Sequence, residues 1–441
     1  MTLSIVLQFI VVLSAIWMGA RYSGVGLGLW GAVGLLVLVV AFGVNPTSPP
    51  IDVMLIILAV IMAASVMDAA GGIDFLVRIA ERVIRANPKY VTIVAPLTTW
   101  SFSFVAGTGH IVYPLLPVIY ETAHQSGIRP ERPMAVATIA SQQAITASPV
   151  AAATAAMIGL FSEKGLTQWG LPEILMICVP ATLTGVLAAA IVSMFIGKDL
   201  KDDPEYQARL KAGEIPAPKS SDTRQPLAPA AKASALIFLV GVALVVLFGF
   251  FPALRHLPGA KAPLAMPIVI EIVMMSVAAI MLMVTKVKVD DVPKTATLRA
   301  GVVAVIGIFG LAWLGDSFIA ANKDVIVPAI GAITEAAPWT FAFGLFFASV
   351  LLYSQAATTR ALMPLGMALG IPPQFLIAMF PSVNGYFFIP TYGSLIAAIN
   401  FDLSGTTKIG KYVLNHSFMI PGIVATAVAV FTGLVLAKLM F

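Results

Sequence analysis

Arg360 has the clearest chemical claim in this sequence. It stands in Ser354-Gln355-Ala356-Ala357-Thr358-Thr359-Arg360-Ala361-Leu362-Met363-Pro364, and residues 361–401 beyond it carry no charge. A charged side chain at the bilayer centre costs roughly 2.5–3.5 kcal/mol on insertion scales, so it is kept for a partner or a ligand. No acid lies close by on that side, so the guanidinium reads as unpaired and calls for an anion. Its planar fork matches a carboxylate through two parallel charge-assisted hydrogen bonds. The alternatives are an arginine reaching for the headgroups, or an ion pair with Glu271 or Asp316. Those two are the acids deepest in apolar stretches, and either could instead carry a proton.

Small and polar clusters supply the remaining candidates. Gly107-Thr108-Gly109-His110 and Ser354-Gln355 interrupt two long apolar runs; Ser148-Pro149 and Pro390-Thr391-Tyr392 interrupt two more. Proline removes a backbone donor and frees a carbonyl. Helices restarting near Gly109, Pro149, Ala356 and Thr391 would each present free N–H groups and a positive dipole end, which suits an anion. Thr108, Ser148, Ser354, Gln355, Thr358, Thr391 and Tyr392 add hydroxyls and an amide. His110 is either a second cation or a neutral donor. The histidines His110, His124, His256 and His416 lack metal-ligand spacing, so no metal and no cofactor are expected. No Walker motif, Gly-x-Ser-x-Gly elbow or His-Glu-x-x-His is present, so neither ATP use nor a familiar hydrolase site is expected.

The elements that must hold these groups are membrane helices. Of 441 residues, 59% are hydrophobic and 11% charged, against roughly a quarter charged in a soluble domain. A soluble enzyme, a nucleic-acid binder and a disordered scaffold are thereby excluded. The net charge of +5 fits basic loops at a membrane rather than a nucleic-acid partner. Cys178 stands alone, so no intrachain disulfide can form. The first basic residue is Arg21, which leaves no charged start for a signal peptide, and residues 1–20 read as a retained span.

Apolar runs of spanning length lie near 3–20, 24–44, 51–70, 91–123, 133–161, 172–197, 233–253, 263–285, 300–321, 337–371, 374–399 and 412–440. The runs 91–123 and 337–371 are too long for one crossing and read as re-entrant hairpins turning at their polar clusters; two full spans with a tight turn are the alternative. The fold class is an all-α polytopic membrane protein with about 10 transmembrane helices plus the two hairpins. With the N-terminus outside, most Lys and Arg fall in loops on one side, the inside, and both termini are periplasmic. Residues 73–89 read as an interfacial amphipathic helix with Phe75, Ile79 and Val83 on one face and Arg78, Arg82 and Arg85 on another. Asn415-His416 reads as the start of the last span.

Residues 198–232, rich in charge and proline, read as a cytoplasmic linker without a core of its own. They separate 1–197 from 233–441. Each half has three spans, a hairpin (91–123; 337–371), a broken helix (133–161; 374–399) and a last span. An odd number of crossings per half makes this an inverted repeat. Ser141 lies eight residues before Pro149, and Ser382 eight before Pro390. Broken backbone in lipid is tolerated only where protein or a watery cavity satisfies it. Two tips and two breaks in matched positions therefore point to one midplane site, the logic of a secondary transporter.

The motifs resemble those of the anaerobic C4-dicarboxylate uptake (Dcu) family. The likeness rests on Asn87-Pro88-Lys89-Tyr90-Val91 through Ala95-Pro96, Gly107-Thr108-Gly109-His110-Ile111-Val112-Tyr113, Ile128-Arg129-Pro130-Glu131-Arg132-Pro133-Met134-Ala135 and Ala147-Ser148-Pro149-Val150. It continues through Ser354-Gln355-Ala356-Ala357, Pro390-Thr391-Tyr392, Ser404-Gly405-Thr406-Thr407 and Asn415-His416-Ser417-Phe418. The stretch 351–364, with a basic residue at 360, is most similar to the A-type branch. The resemblance implies a bacterial inner-membrane carrier for aspartate, fumarate, malate and succinate, working as an exchanger. It also implies the ion-transporter-superfamily fold, with a dimeric scaffold domain and a transport domain that moves as an elevator. A Na⁺- or H⁺-coupled symporter on the same fold remains the alternative, and a gated pore a third reading.

Overall fold

The computed structural model describes residues 3–22, 24–215, 226–260, 262–352, 354–412 and 414–441. Its regular elements are helices, apart from one bridge between Ile409 and His416. In chain order, α1 is Leu3–Tyr22, α2 Gly26–Phe42, α3 Ile51–Ala69, α4 Gly72–Ala86, α5 Val91–Ala106, α6 Val112–Gln125, α7 Glu131–Gln143, α8 Ala152–Glu163 and α9 Leu171–Ser193. After α10, Pro204–Lys211, come α11 Ala231–Phe250, α12 Met266–Thr285, α13 Ala296–Gly307, α14 Trp313–Ala336 and α15 Phe341–Leu352. The chain ends with α16 Gln355–Ala368, α17 Pro373–Met379, α18 Gly393–Phe401 and α19 Met419–Met440.

Among the described residues, six helical segments are long and apolar enough to cross a bilayer: α3, α9, α11, α12, the run 296–325 and α19. Large apolar side chains on their outer faces are exposed, among them Val240 at 58% and Phe431 at 68%, as lipid-facing surface requires. Between α13 and α14 lies a π-helical turn, Ile308–Ala312. A Cβ added at Gly310 would meet the Gly28 carbonyl oxygen at 1.7 Å, and one at Gly31 the Gly310 carbonyl carbon at 2.5 Å. Backbone touches backbone there, which only glycine permits. The span expected at 300–321 is thus part of a longer helical run, 296–325, with a π turn inside it.

Both polar interruptions in the long runs are turns between helices. Gly107 ends α5 at φ +68°, and extended Thr108 redirects the chain toward α6. A Cβ on Gly107 would meet the Val150 carbonyl oxygen at 2.7 Å. Extended Ser354 separates α15 from α16. The two broken helices differ in the length of their breaks. Between α7 and α8 stand a 3-10 turn, Ala144–Thr146, and extended Ala151. Between α17 and α18 stand a 3-10 stretch, Phe380–Phe387, kinked at Asn384, and then residues 388–392.

Three sequence expectations are corrected. The segment from Leu200 to Ile215 is not a solvated tether: Leu200, Tyr206 and Ile215 bury together. Arg129 bridges Asp203 at 2.5 Å, and Lys408 pairs with Glu205 at 2.6 Å. His124 Nε2 lies 2.8 Å from the Tyr206 hydroxyl, and Arg209 Nη1 donates to the Ser404 carbonyl at 2.8 Å. Among the charges that suggested solvation, Asp199, Asp203, Glu205 and Arg209 hold a strap against the α6–α7 region and the α18–α19 loop. The expected linker over 216–225 lies outside the described residues. Helix α4 packs inward through Leu76, Val77, Ala80 and Ile84, while Phe75 and Ile79 are half-buried and Val83 exposed. Finally, α19 starts at Met419, so Asn415-His416 belongs to the preceding loop, where Asp402 accepts from Ser404 N, Thr406 Oγ1 and Thr407 N.

Candidate functional site

A cavity of about 650 Å³ lies where the two tips and the two breaks meet. The first tip contributes Thr108, Gly109 and His110, and the first break Gln142, Ile145 and Val150. The second tip contributes Ser354 and Gln355, and the second break Thr391, Tyr392 and Gly393. Val60, Ile61 and Ala64 of α3 and the face of α13 from Ala296 to Gly307 close the other side. Among the lining residues there is no Asp or Glu; the basic side chains are His110 and Arg299. Arg299 is exposed and has no carboxylate partner among the described residues, whereas its neighbour Thr297 donates to Asp68 Oδ2 at 2.7 Å.

A row of amides runs behind this wall. Gln355 Nε2 donates to Gln142 Oε1 at 2.9 Å and to Asn384 Oδ1 at 3.1 Å. Asn384 Nδ2 donates to Gln143 Oε1 at 3.4 Å, and Gln143 Nε2 to Thr426 Oγ1 at 2.9 Å. Gln142, Gln143 and Asn384 are 1% exposed, so these bonds replace water that the groups have lost. The row ties the second tip to both breaks. The first tip is tied in by shape: a Cβ on Gly109 would stand 2.2 Å from Gln142 Nε2. Likewise a Cβ on Gly393 would stand 2.7 Å from the Tyr113 hydroxyl, so a larger residue there would have to displace that ring end on α6.

The helix starts around the cavity have donors to spare. Ser354 Oγ accepts from Ala357 N at 3.2 Å, and Ala356 and Ala357 face the space. Thr108 Oγ1 accepts from His110 N at 3.2 Å. Ala152 and Ala153 open α8, and Gly393 opens α18. Each start leaves backbone N–H groups without an intrahelical acceptor and carries positive partial charge. The lining itself holds no carboxylate to balance them; Asp68 stands just beyond it, on Thr297.

Seven of the residues singled out in the sequence meet here: Thr108, Gly109, His110, Ser354, Gln355, Thr391 and Tyr392. Ser148 is fully buried behind the wall, its Oγ accepting from Val150 N at 3.4 Å. Thr358 Oγ1 donates to the Ser354 carbonyl at 2.8 Å and serves its own helix. Pro149 and Pro390 shape the breaks but do not line the space, and Glu271 on α12 stands apart from it.

Arg360 overturns the reading of an unpaired guanidinium. It is 1% exposed; Nη1 lies 2.9 Å from Glu163 Oε2 and Nη2 3.3 Å from Asp316 Oδ2. It joins α16 to α8 and α14 and is absent from the cavity lining. One of the two acids offered as partners, Asp316, is indeed there; the other partner, Glu163, is 197 residues away in sequence. Gln142, Gln143, Asn384 and Arg299 had not been singled out as ligand groups. Their signal was position: the first three stand in the polar segments next to the breaks. Among the described residues no group of three His, Cys, Asp or Glu side chains could hold a metal ion.

The family described as "Anaerobic c4-dicarboxylate membrane transporter" matches residues 4–441. The chain is 40% identical over 441 residues to "C4-dicarboxylate transporter DcuA" of Wolinella succinogenes, covering 99% of this chain and 100% of that one. It is 42% identical to "C4-dicarboxylate transporter DcuA" of Escherichia coli K12, covering 99% and 100%. It is 39% identical to "Anaerobic C4-dicarboxylate transporter DcuB" of Escherichia coli O6:H1, covering 98% of each. In fold it is similar to the YdaH transporter of Alcanivorax borkumensis, with TM-score 0.57 at 15% identity over 92% of this chain and 89% of that one. The protein is a membrane transporter and not an enzyme, and it belongs to the anaerobic C4-dicarboxylate membrane transporter family.

Proposed function

We propose that the cavity between tips and breaks binds a C4-dicarboxylate, and that the protein exchanges aspartate, fumarate, malate and succinate across the bacterial inner membrane. The observation that carries this reading is the meeting of both tips and both breaks at one space with no acid in its lining. One carboxylate sits at the start of α16, on the backbone N–H groups that follow Ser354. The other sits across the cavity on the first tip and the start of α18, within reach of Thr108, His110, Thr391 and Tyr392. Arg299, in the first turn of α13 next to the basic loop 286–295, draws the dianion in.

The arrangement of parts supports an inverted repeat of 1–197 and 233–441 joined through 198–232, with both termini periplasmic. The amide row and the Arg360 ion pairs bind tips and breaks into one body, which supports an elevator movement of that body against a scaffold that pairs in a homodimer. The test is counterflow. Proteoliposomes loaded with unlabelled succinate receive labelled aspartate or fumarate outside, with no Na⁺ and no pH gradient. Uptake only into loaded vesicles is the expected result. Equal uptake into empty vesicles overturns exchange, and uptake that appears only with Na⁺ or a proton gradient replaces it with symport.

A further inference from the structure

A second cavity of about 370 Å³ lies between α4 and the start of α11, lined by Phe75, Arg78, Ile79, Arg82, Leu227 and Lys232. Three cations and three apolar side chains share it, and no Asp or Glu is in the lining. On α4 the lining residues fall at spacings of three, one and three, which is a single helical face. That face is not the one packed inward, which consists of Leu76, Val77, Ala80 and Ile84. Arg82 and Lys232 are both exposed, as is Val83 at 40%.

The groove continues into the lipid-facing surface. Four-residue steps from Lys232 along α11 reach Leu236, Val240 and Leu244, exposed at 49%, 58% and 37%. A cationic end therefore leads into an apolar row that runs along a spanning helix. Only an amphiphile with an anionic head and an acyl chain matches both parts. A free phosphate would leave the row bare, and a lipid without an anionic head would leave Arg82 and Lys232 unmatched.

We propose that this groove is a binding site for an anionic phospholipid. Its phosphate lies between Arg82 and Lys232, its glycerol backbone lies against Phe75, Ile79 and Leu227, and one acyl chain follows Leu236, Val240 and Leu244. Basic pockets beside spanning helices hold anionic lipid headgroups by this combination. The site is separate from the transport cavity, so its occupancy and the exchange reading can fail independently.

Native mass spectrometry of the detergent-solubilised full chain tests it, with phosphatidylglycerol, phosphatidylethanolamine and inorganic phosphate as separate probes. The expected result is tighter retention of phosphatidylglycerol than of phosphatidylethanolamine. The R82Q/K232Q variant then loses that preference by on the order of thirty-fold, since each surface cation contributes a factor of roughly five. An L236N/V240N variant weakens retention without touching the cations. Equal retention of both lipids, or a preference that survives R82Q/K232Q, overturns the site. Displacement of the lipid by inorganic phosphate alone makes it a free-anion site, which also overturns it. A preference that appears only after residues 216–225 are deleted shows that the chain itself fills the groove, and overturns it too. Counterflow by the R82Q/K232Q protein in phosphatidylcholine vesicles is expected to match the parent, which separates this outcome from failure of the transport reading.

Discussion

Replacing Arg360 by alanine should damage the fold before it damages recognition. The guanidinium is 1% exposed and meets Glu163 at 2.9 Å and Asp316 at 3.3 Å. Arg360→Ala leaves two carboxylates facing a void, their side chains 28% and 18% exposed. Removing one partner of a buried pair costs about 3–5 kcal/mol. Because both acids keep some solvent, the loss belongs at the low end, about 3 kcal/mol. At roughly 2–4 °C per kcal/mol, the apparent melting temperature should fall by about 6–12 °C. Size-exclusion chromatography after graded heating in detergent reads this directly. An R360M/E163Q/D316N variant removes all three charges together and should recover more than half of the loss. Succinate affinity of the surviving Arg360→Ala protein should change by less than about three-fold, under 1 kcal/mol. A variant that melts within about 1 °C of the parent yet no longer binds succinate would show that Arg360 is a ligand contact and that the ion pairs are incidental.

Three further expectations concern the cavity and the strap. Gln355→Leu removes both donors that tie the second tip to Gln142 and Asn384; losing two hydrogen bonds of about 1 kcal/mol each should weaken succinate binding by about ten- to thirty-fold, and an unchanged Kd by equilibrium binding would contradict that role. Gly109→Ala places a methyl where the Gln142 amide stands at 2.2 Å; overpacking costs about 1–3 kcal/mol, and exchange in counterflow should drop at least ten-fold. Asp203→Asn should release the strap, read as faster proteolysis at residues 212–215. Burial pushes the Asp203 carboxyl upward, but hydrogen bonds from Arg129 and the Tyr206 and Glu205 backbone outweigh it and hold it below the usual range. Strap docking should accordingly be complete at pH values above about 4 and be lost only as pH falls below the ordinary carboxylate value. Strap release already near neutral pH would contradict this.

The parts of the fold that show in the sequence are those marked by contrast with lipid-like surroundings. Thr108, Ser354 and Thr391 stand out because a hydroxyl in an apolar run needs a reason, and the tips and breaks they mark do meet at one cavity. Gln142, Gln143 and Asn384 carry no charge and stand beside prolines that draw the eye first, so their role as the connecting row emerges only in three dimensions. Arg360 looks unpaired in the sequence for a related reason. Local sequence shows only local partners, and Glu163 comes from the other half of the chain. The strap was missed because charge density predicts solvation when pairing is ignored, and Arg129–Asp203 and Lys408–Glu205 are tertiary pairs. Helix α4 is legible as an amphipathic element, but its apolar residues cover more than one face, and the inward one is Leu76, Val77, Ala80 and Ile84.

The central claim is that a dicarboxylate occupies the space between the tips and the breaks. Thr391 is exposed to that cavity, and the native Cys178 is fully buried, so Thr391→Cys offers a single accessible thiol there. The rate of its alkylation by a small maleimide, with and without succinate, measures occupancy of the site. The account predicts that succinate slows labelling in proportion to its own binding curve, while propionate, with one carboxylate, does not. Equal labelling rates with and without saturating succinate, in protein that still performs counterflow, would place the substrate elsewhere.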